Sequence, residues 1–379
     1  MKLITRKIDS LEDVSHAAWN NLEHRGNPFL THQFLAGLEK YKCLYNHGWH
    51  PCHILAEDNN ELVGALPLYF KTNSVGEFVF DWNWAEAYEQ AGGHYYPKLV
   101  SAVPFSPVSG PRYLIKKNHD YKNEISDALY KAARLIVQET RISGIHILFP
   151  DEVDHKILVN QGLLIRTACQ YHWFNHEYCD FDDFLSHLNS KKRKQIKRER
   201  DSVSKSGIEI EVLRGEEITL EHWQEYYNFY TSTFLRKWGE PRFTLTFFQS
   251  LSQTLGDIVL LFLAKYNGKY VAGAFAMQGE NTLYGRHWGC NTHFPFLHFE
   301  LCYYQTIDYC IQNKLGKLDA GVQGEHKISR GFVPVNTWSA HWIANIEFRK
   351  TIEHFLHHEQ KYIELYMNGL SEHLAYKTL

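Results

Sequence analysis

The chain repeats one order of segments twice, about two hundred residues apart, and this restricts it to two similar α+β halves. Each copy opens on an alternating strand, LITRKI at 3–8 and IEIEVL at 208–213, followed by an acidic helix start. The first helix of each copy carries a tryptophan, Trp19 or Trp223. A second helical segment holds Phe29 and Phe34 in one copy and Phe243 and Phe248 in the other. The hairpins match best. ILAEDNNELVGALPL at 54–68 and FLAKYNGKYVAGAFAM at 262–277 alternate around Asn-Asn and Asn-Gly, residues that tolerate the positive φ of a tight turn. After a further strand each copy predicts a long helix, 123–140 and about 298–314, closed by Gly144 or Gly316 ahead of a short strand. DHKI at 154–157 and EHKI at 325–328 then each lead to a glycine. Duplication is the economical explanation, and chance similarity of two mixed α/β domains is the alternative. The expected division is an N-terminal domain at 1–179, a basic connecting helical segment at 180–207 and a C-terminal domain at 208–379, each domain a mostly antiparallel sheet flanked by helices.

Composition allows this. The 379 residues are 44% hydrophobic and 15% aromatic, enough for two packed interiors and too apolar for a disordered chain. The longest apolar run, Ile258–Ala264, is far short of a membrane span, and MKLITRKIDS has no apolar core of the secretory kind. Seven cysteines without a CxxC pair form neither a disulfide framework nor a zinc pattern, so a reduced cytoplasmic setting is expected. The net charge of −3 conceals one basic run, KKRKQIKRER at 191–200, with seven cations and one acid. Its Lys191, Arg193, Lys197 and Arg198 are candidate anion-binding residues. Acceptor-stem RNA, a lipid-linked phosphate and a CoA phosphate all qualify, and a solvated helix face is the plain alternative.

Several stretches are long and unusual: EFVFDWNWAEAYEQAGGHYYPKL at 77–99, PFSPVSGPR at 104–112, LYGRHWGCNTHFPFLHFELCYYQTIDY at 283–309 and LDAGVQGEHKISRGFVPVNTWSAHWI at 318–343. They resemble the FemAB-like N-acyltransferases, a family of peptidoglycan biosynthesis or recognition. The resemblance implies two tandem GNAT-like domains, a likeness to the Fem peptidyltransferases, and membership of a superfamily whose usual donor is acyl-CoA. It implies acyl or aminoacyl transfer from acyl-CoA or aminoacyl-tRNA to an amine, with a small molecule or cell-wall precursor as acceptor. Expected partners are tRNA and, by peripheral contact, a lipid-linked precursor. No tightly bound cofactor is expected. A non-catalytic protein that recognises a peptidoglycan fragment or a phosphorylated ligand is the rival reading.

Acyl transfer to an amine requires a polarised carbonyl, removal of an amine proton and return of a proton to the leaving group. The resemblance implies that a backbone N–H where two strands splay polarises the carbonyl. Glu300, near the start of a long helix with Tyr303 and Tyr304 one turn on, is the first candidate base, and the plain alternative is a helix-dipole acid. Glu325, His326, Lys327 and Arg330 lie between Gly324 and Gly331 and read as a site loop, or as an exposed charged turn. Glu325 is the second candidate base, and His326 and Tyr304 are candidates for proton return. Arg286 to Asn291 partly matches a GNAT pyrophosphate loop. His293, His298 and Glu300 lack further ligands at metal spacing, so no metal is expected and His298 is assigned to substrate. In 77–112, read as neither a simple strand nor a simple helix, Asp81, Trp84, Lys98 and Arg112 are candidates for an acceptor groove. Packing between the halves is the alternative for the tryptophans.

Overall fold

In a computed structural model, residues 2–236, 239–322 and 324–377 are described. By its contacts the chain forms two compact units, the first reaching to Cys169 and including Asn336–Tyr366, the second running from Gln170 to Val335 and including residues from Met367 onward. A single cut near residue 180 therefore does not separate them, because a C-terminal strand and most of the last helix fold with the first unit.

In the first unit, β1 (Leu3–Ile8), α1 (His16–Asn20) and α2 (His32–Lys40) precede β2 (Trp49–Pro51), β3 (His53–Asp58) and β4 (Glu61–Leu66). Then come β5 (Tyr69–Lys71), α3 (Trp82–Gln90), β6 (Lys98–Ser101), β7 (Leu114–Ile115), α4 (Lys122–Thr140), β8 (Gly144–Leu148) and α5 (Glu152–Asn160). The helix α3 lies inside the stretch expected to be irregular. One sheet has the order β1-β3-β4-β7, and a second set pairs β2, β5, β6 and β8. The core of this unit joins Ile54, Leu66, Leu99, Ile125, Leu129, Ile145 and Trp342, so α4 is buried along its apolar stripe.

The strand β9 (Leu164–Phe174) enters the second unit at Gln170. The basic segment forms two helices, α6 (Phe181–His187) and α7 (Ser190–Lys205). The Asn189 side chain caps α7 by accepting from the Lys192 amide at 3.0 Å, which supports a helix start crowded with cations. After β10 (Ile208–Arg214), α8 (Leu220–Leu235) and α9 (Leu245–Leu255) come β11 (Val259–Tyr266), β12 (Lys269–Gln278) and β13 (Thr282–Cys290). A helix then starts as α10 (Leu297–Phe299), passes through a π turn at Glu300–Tyr304 and continues as α11 (Gln305–Gln312). The second unit continues with β14 (Lys317–Asp319), a 3-10 turn at Glu325–Arg330 and the start of β15 (Val333–Ile343). The last helix is α12 (Ile346–Ser371). The sheet order in this unit is β10-β11-β12-β13-β14-β9.

The repeated order reaches individual contacts. Trp19 Nε1 donates to the Leu30 carbonyl at 2.9 Å and Trp223 Nε1 donates to Ser252 Oγ at 3.0 Å, so each buried indole ties its helix to the next segment. Thr31 and Thr244 cap the second helices by accepting from the Phe34 and Phe247 amides. The hairpin turns have positive φ at Asn59 and Asn60, and at Asn267 and Gly268.

Close approach fixes β13. A Cβ on Gly289 would stand 2.1 Å from the Phe229 carbonyl oxygen of α8, whereas one on Gly285 would meet nothing nearer than 3.8 Å. Gly289→Ala should therefore cost about 1–3 kcal/mol through forced separation of α8 from the sheet. Gly285→Ala should leave thermal stability nearly unchanged, and melting curves of the two variants test the contrast.

Candidate active site

The second unit holds a gap between two parallel strands. β13 pairs with β14 only from Thr282↔Lys317 to Tyr284↔Asp319, after which β14 ends and β13 runs on to Cys290. At the same level the register between β12 and β13 slips. Phe275 faces His287 and Ala276 faces Gly285, so Arg286 is an extra residue in a β-bulge. A bulge takes one residue out of the ladder and re-aims the backbone around it. Beyond it lies a cavity of about 90 Å³, walled by Gly285, Arg286, His287, Trp288 and Ala320 on the sheet side. His298, Cys302, Tyr303 and Thr306 close it from the helix side.

The helix Leu297–Gln312 sorts its polar groups onto different faces. His298 and Tyr303 reach the cavity. The Tyr303 hydroxyl lies 2.9 Å from His326 Nε2, and the His326 ring is exposed on the 3-10 turn. Burial holds the Tyr303 phenol protonated well above its ordinary range. His298 touches the rings of Trp288, Tyr303 and His326. Burial, reinforced by nearby His326, Lys327 and Arg330, lowers it to about 4, so it is a neutral imidazole near neutral pH.

Glu300 faces α7. Its Oε1 accepts from Arg200 Nε at 3.2 Å and from Gln305 Nε2 at 2.8 Å, while Oε2 is buried without a hydrogen bond. Tyr304, a candidate for proton return, also points away from the cavity, because its hydroxyl donates to Glu199 and accepts from Arg330 Nε at 3.0 Å. Arg330, read from the sequence as part of a site loop or an exposed charged turn, is buried. It grips Glu199 through Nη2 at 2.9 Å to both carboxylate oxygens and lies 3.5 Å over the Phe299 ring. The Glu199 to Arg330 and Arg200 to Glu300 pairs thus fasten α7 to the turn and the helix that border the cavity. Glu199, the only acid in the basic run, is the residue the sequence reading passed over, and its isolation among seven cations was the available signal.

Arg286 is likewise buried, with Nη2 3.0 Å from Asp319 Oδ2 and Nη1 3.2 Å from Asp319 Oδ1. Burial opposes the Asp319 charge, but Arg286 and His172 outweigh it and hold the carboxyl well below its usual range. Residues 286–290 belong to a strand, and the Asn291 amide donates to the Val271 carbonyl at 3.0 Å. The expected pyrophosphate loop is therefore strand backbone committed to the sheet. Lys327 is buried and bonds the Ala320 and Gly321 carbonyls at 2.8 and 2.7 Å, pinning the chain just past β14, and burial lowers it to about 8. Glu325 is exposed on the same turn. His293 is exposed, and among the described residues no three His, Cys, Asp or Glu side chains gather as a metal site.

The first unit closes its corresponding gap. β6 and β8 pair in parallel from Leu99↔Ile145 to Ser101↔Ile147, and past that point Gly110 bridges Pro150. Arg112 is wholly buried there. It donates to the carbonyls of Leu148 at 2.8 Å, Gly110 at 3.3 Å, Pro111 at 3.0 Å and Val108 at 2.6 Å. Lys98 is equally enclosed and donates to Ser74 and Glu77 at 2.9 Å and to Asp81 at 2.5 Å. Trp84 packs on Ile352 and Leu356 within the same unit. These four residues, expected in an acceptor groove, are interior. A planar guanidinium that satisfies backbone carbonyls and a lysine between two carboxylates are how such groups become buried. Lys191, Lys194, Lys197 and Arg198 are exposed on α7, Lys197 lies 3.0 Å from Asp182, and Arg193 is half-buried with a bond to the Leu188 carbonyl.

Two α+β units, each with a parallel strand pair beside a long helix, make this a tandem GNAT-like protein. The sequence matches the FemAB-like family, described as peptidoglycan biosynthesis/recognition, over residues 10–378, and the chain belongs to that family. The crystal structure of FemX is similar, with a TM-score of 0.53 at 13% identity, covering 92% of this chain and 100% of that one. L-PGS from Bacillus licheniformis gives a TM-score of 0.52 at 11% identity, covering 88% and 98%. The C-terminal domain of a putative lysylphosphatidylglycerol synthetase from Agrobacterium fabrum gives 0.53 at 8%, covering 89% and 94%. At such identities these likenesses concern the fold. No curated protein sequence matches. Among the described residues no helix is long and apolar enough to cross a membrane.

The Arg286–Asp319 pair makes a pH prediction. The Asp319 pKa is lower in the folded chain than in the unfolded one, so its stabilisation is complete above the ordinary carboxylate range and is lost as pH falls toward the folded value. Asp319→Asn should cost about 3–5 kcal/mol at neutral pH by removing the carboxylate that balances a buried guanidinium. It should also flatten the acid limb of melting temperature against pH, measured from pH 3 to 7 by circular dichroism.

Proposed function

We propose that the second unit transfers an acyl or aminoacyl group from a thioester or ester donor to an amine, by direct displacement at the cavity between β13 and β14. The observation that carries this reading is the coincidence of strand parting, bulge and cavity with a protonated phenol and a neutral imidazole. The amine nitrogen attacks the acyl carbon, the new C–N bond forms, and the C–S or C–O bond to the donor breaks. Backbone at the bulge polarises the carbonyl as charge gathers on its oxygen. His298 accepts the proton lost by the amine and releases it to solvent. Tyr303 gives its proton to the departing sulfur or oxygen and recovers one through His326, which meets water. Glu300 and Glu199 act as positioning residues through Arg200 and Arg330.

Two donor classes fit this chemistry, acyl-CoA and aminoacyl-tRNA. Commitment of residues 286–291 to the sheet favours a donor that does not need a pyrophosphate cradle there, hence aminoacyl-tRNA, with the exposed cations of α7 as phosphate contacts. The family suggests a cell-wall precursor amine as acceptor. The same committed segment favours the second reading, a binding protein without turnover. A thermal-shift panel of acetyl-CoA, longer acyl-CoAs and charged against uncharged tRNA separates the two, since a ligand of the folded state raises its melting temperature. A donor-specific shift supports transfer, and no shift with any donor supports the binder.

With a responding donor, Tyr303→Phe and His298→Gln should each lower kcat by about 100-fold or more while the donor KM changes little. Glu300→Gln should have a smaller effect. Unchanged turnover in both Tyr303→Phe and His298→Gln would sink this assignment of roles.

A further inference from the structure

The first unit contains a larger cleft, of about 700 Å³, between α4 and α5. That volume suits a small-molecule ligand. Its lining is rich in hydrogen-bonding side chains, among them Asn123, Gln138 and Asn160, and it includes Tyr130, Lys131 and Arg134. Arg134 lies 3.7 Å over the ring of Trp342, and Arg349 lies 4.8 Å from the same ring. Two guanidiniums are therefore held against one indole, where cation–π attraction partly replaces lost hydration.

Among the described residues these two guanidiniums have no carboxylate partner. Arg134 Nη1 reaches the Tyr130 hydroxyl at 3.4 Å, and its buried Nε has no hydrogen bond. Arg349 Nε donates to the Ile343 carbonyl at 2.7 Å. Burial and repulsion by Arg134 both lower the Arg349 pKa, so this corner has an excess of positive charge. Asp127, an acid in the cleft wall, is engaged by Gln161 Nε2 at 2.9 Å, and Gln161 is in turn bonded by the Tyr113 hydroxyl at 2.7 Å. The excess charge and the amide-lined cleft meet at Arg134, which lines that cleft.

We propose that this cleft binds a ligand bearing an oxyanion, phosphate or carboxylate, on a polar small-molecule body, with Arg134 as its anchor and Arg349 and Lys131 as supporting charges. Guanidinium forks match the paired oxygens of either group. The site is independent of the chemistry assigned to the second unit, and it gives the first unit a role of its own.

Isothermal titration of the full chain with pyrophosphate and, separately, with citrate tests this and distinguishes phosphate from carboxylate. Saturable binding of either probe is expected, weakened by about tenfold or more in Arg134→Gln and Arg349→Gln. Lys269→Gln, an exposed charge change in the second unit, should leave that binding unaltered. Melting curves identify any variant whose fold is lost, and Lys131→Gln, on the exposed side of α4, then supplies the weakening to be measured. No saturable heat with either probe up to roughly 10 mM, or equal binding by folded Arg134→Gln, overturns the proposal.

Discussion

The parting of β13 from β14 is the constraint on which the second unit's chemistry depends. Parallel strands that separate would normally leave backbone groups without partners, at a cost comparable to lost hydrogen bonds. Here side chains take them up. Lys327 holds the carbonyls past β14, and Arg286 bonds Asp319 and the nearby Gly285 carbonyl. Thr233 donates to the Trp288 carbonyl, and Ser232 and Arg236 donate to that of Cys290. The opening persists because its edges are satisfied.

The same architecture has two outcomes within one chain. In the first unit the gap after β6 and β8 is filled by residues 104–112, and Arg112 saturates four carbonyls around it. In the second unit the corresponding place keeps a cavity lined by a bulge and a helix. Duplicated topology thus does not duplicate chemistry, since the local filling decides whether anything can enter. The first unit's polar capacity lies in a different place, between α4 and α5.

Much of the fold was legible. The Asn-Gly and Asn-Asn turns, the alternating hairpins and the paired tryptophans are local signals, and each leads to the expected element, whereas the helix stops fall at Arg141 and Lys314, with positive φ, and not at Gly144 and Gly316. The site was less legible. Tyr303 and His298 meet His326 from a distant turn, a gathering no local pattern announced, while Glu300 and Tyr304 turn toward α7 because a π turn redistributes the faces of their helix. Lys98 and Arg112 carry charges that normally mark a surface. Their partners, Asp81, Glu77 and the carbonyls of Val108, Gly110, Pro111 and Leu148, come together only in the folded chain.

The sequence by itself determined the order of elements, their duplication and the cations that could meet an anion, because propensity, turn chemistry and charge act over a few residues. Only the tertiary structure decided which charges are neutralised inside, which unit keeps an open strand gap, and where the compact units divide. Those outcomes depend on groups far apart in the chain, such as Glu199 with Arg330 and Trp342 with Arg134. No local pattern encodes such pairings, since they arise from burial that excludes water and forces each polar group to find a partner.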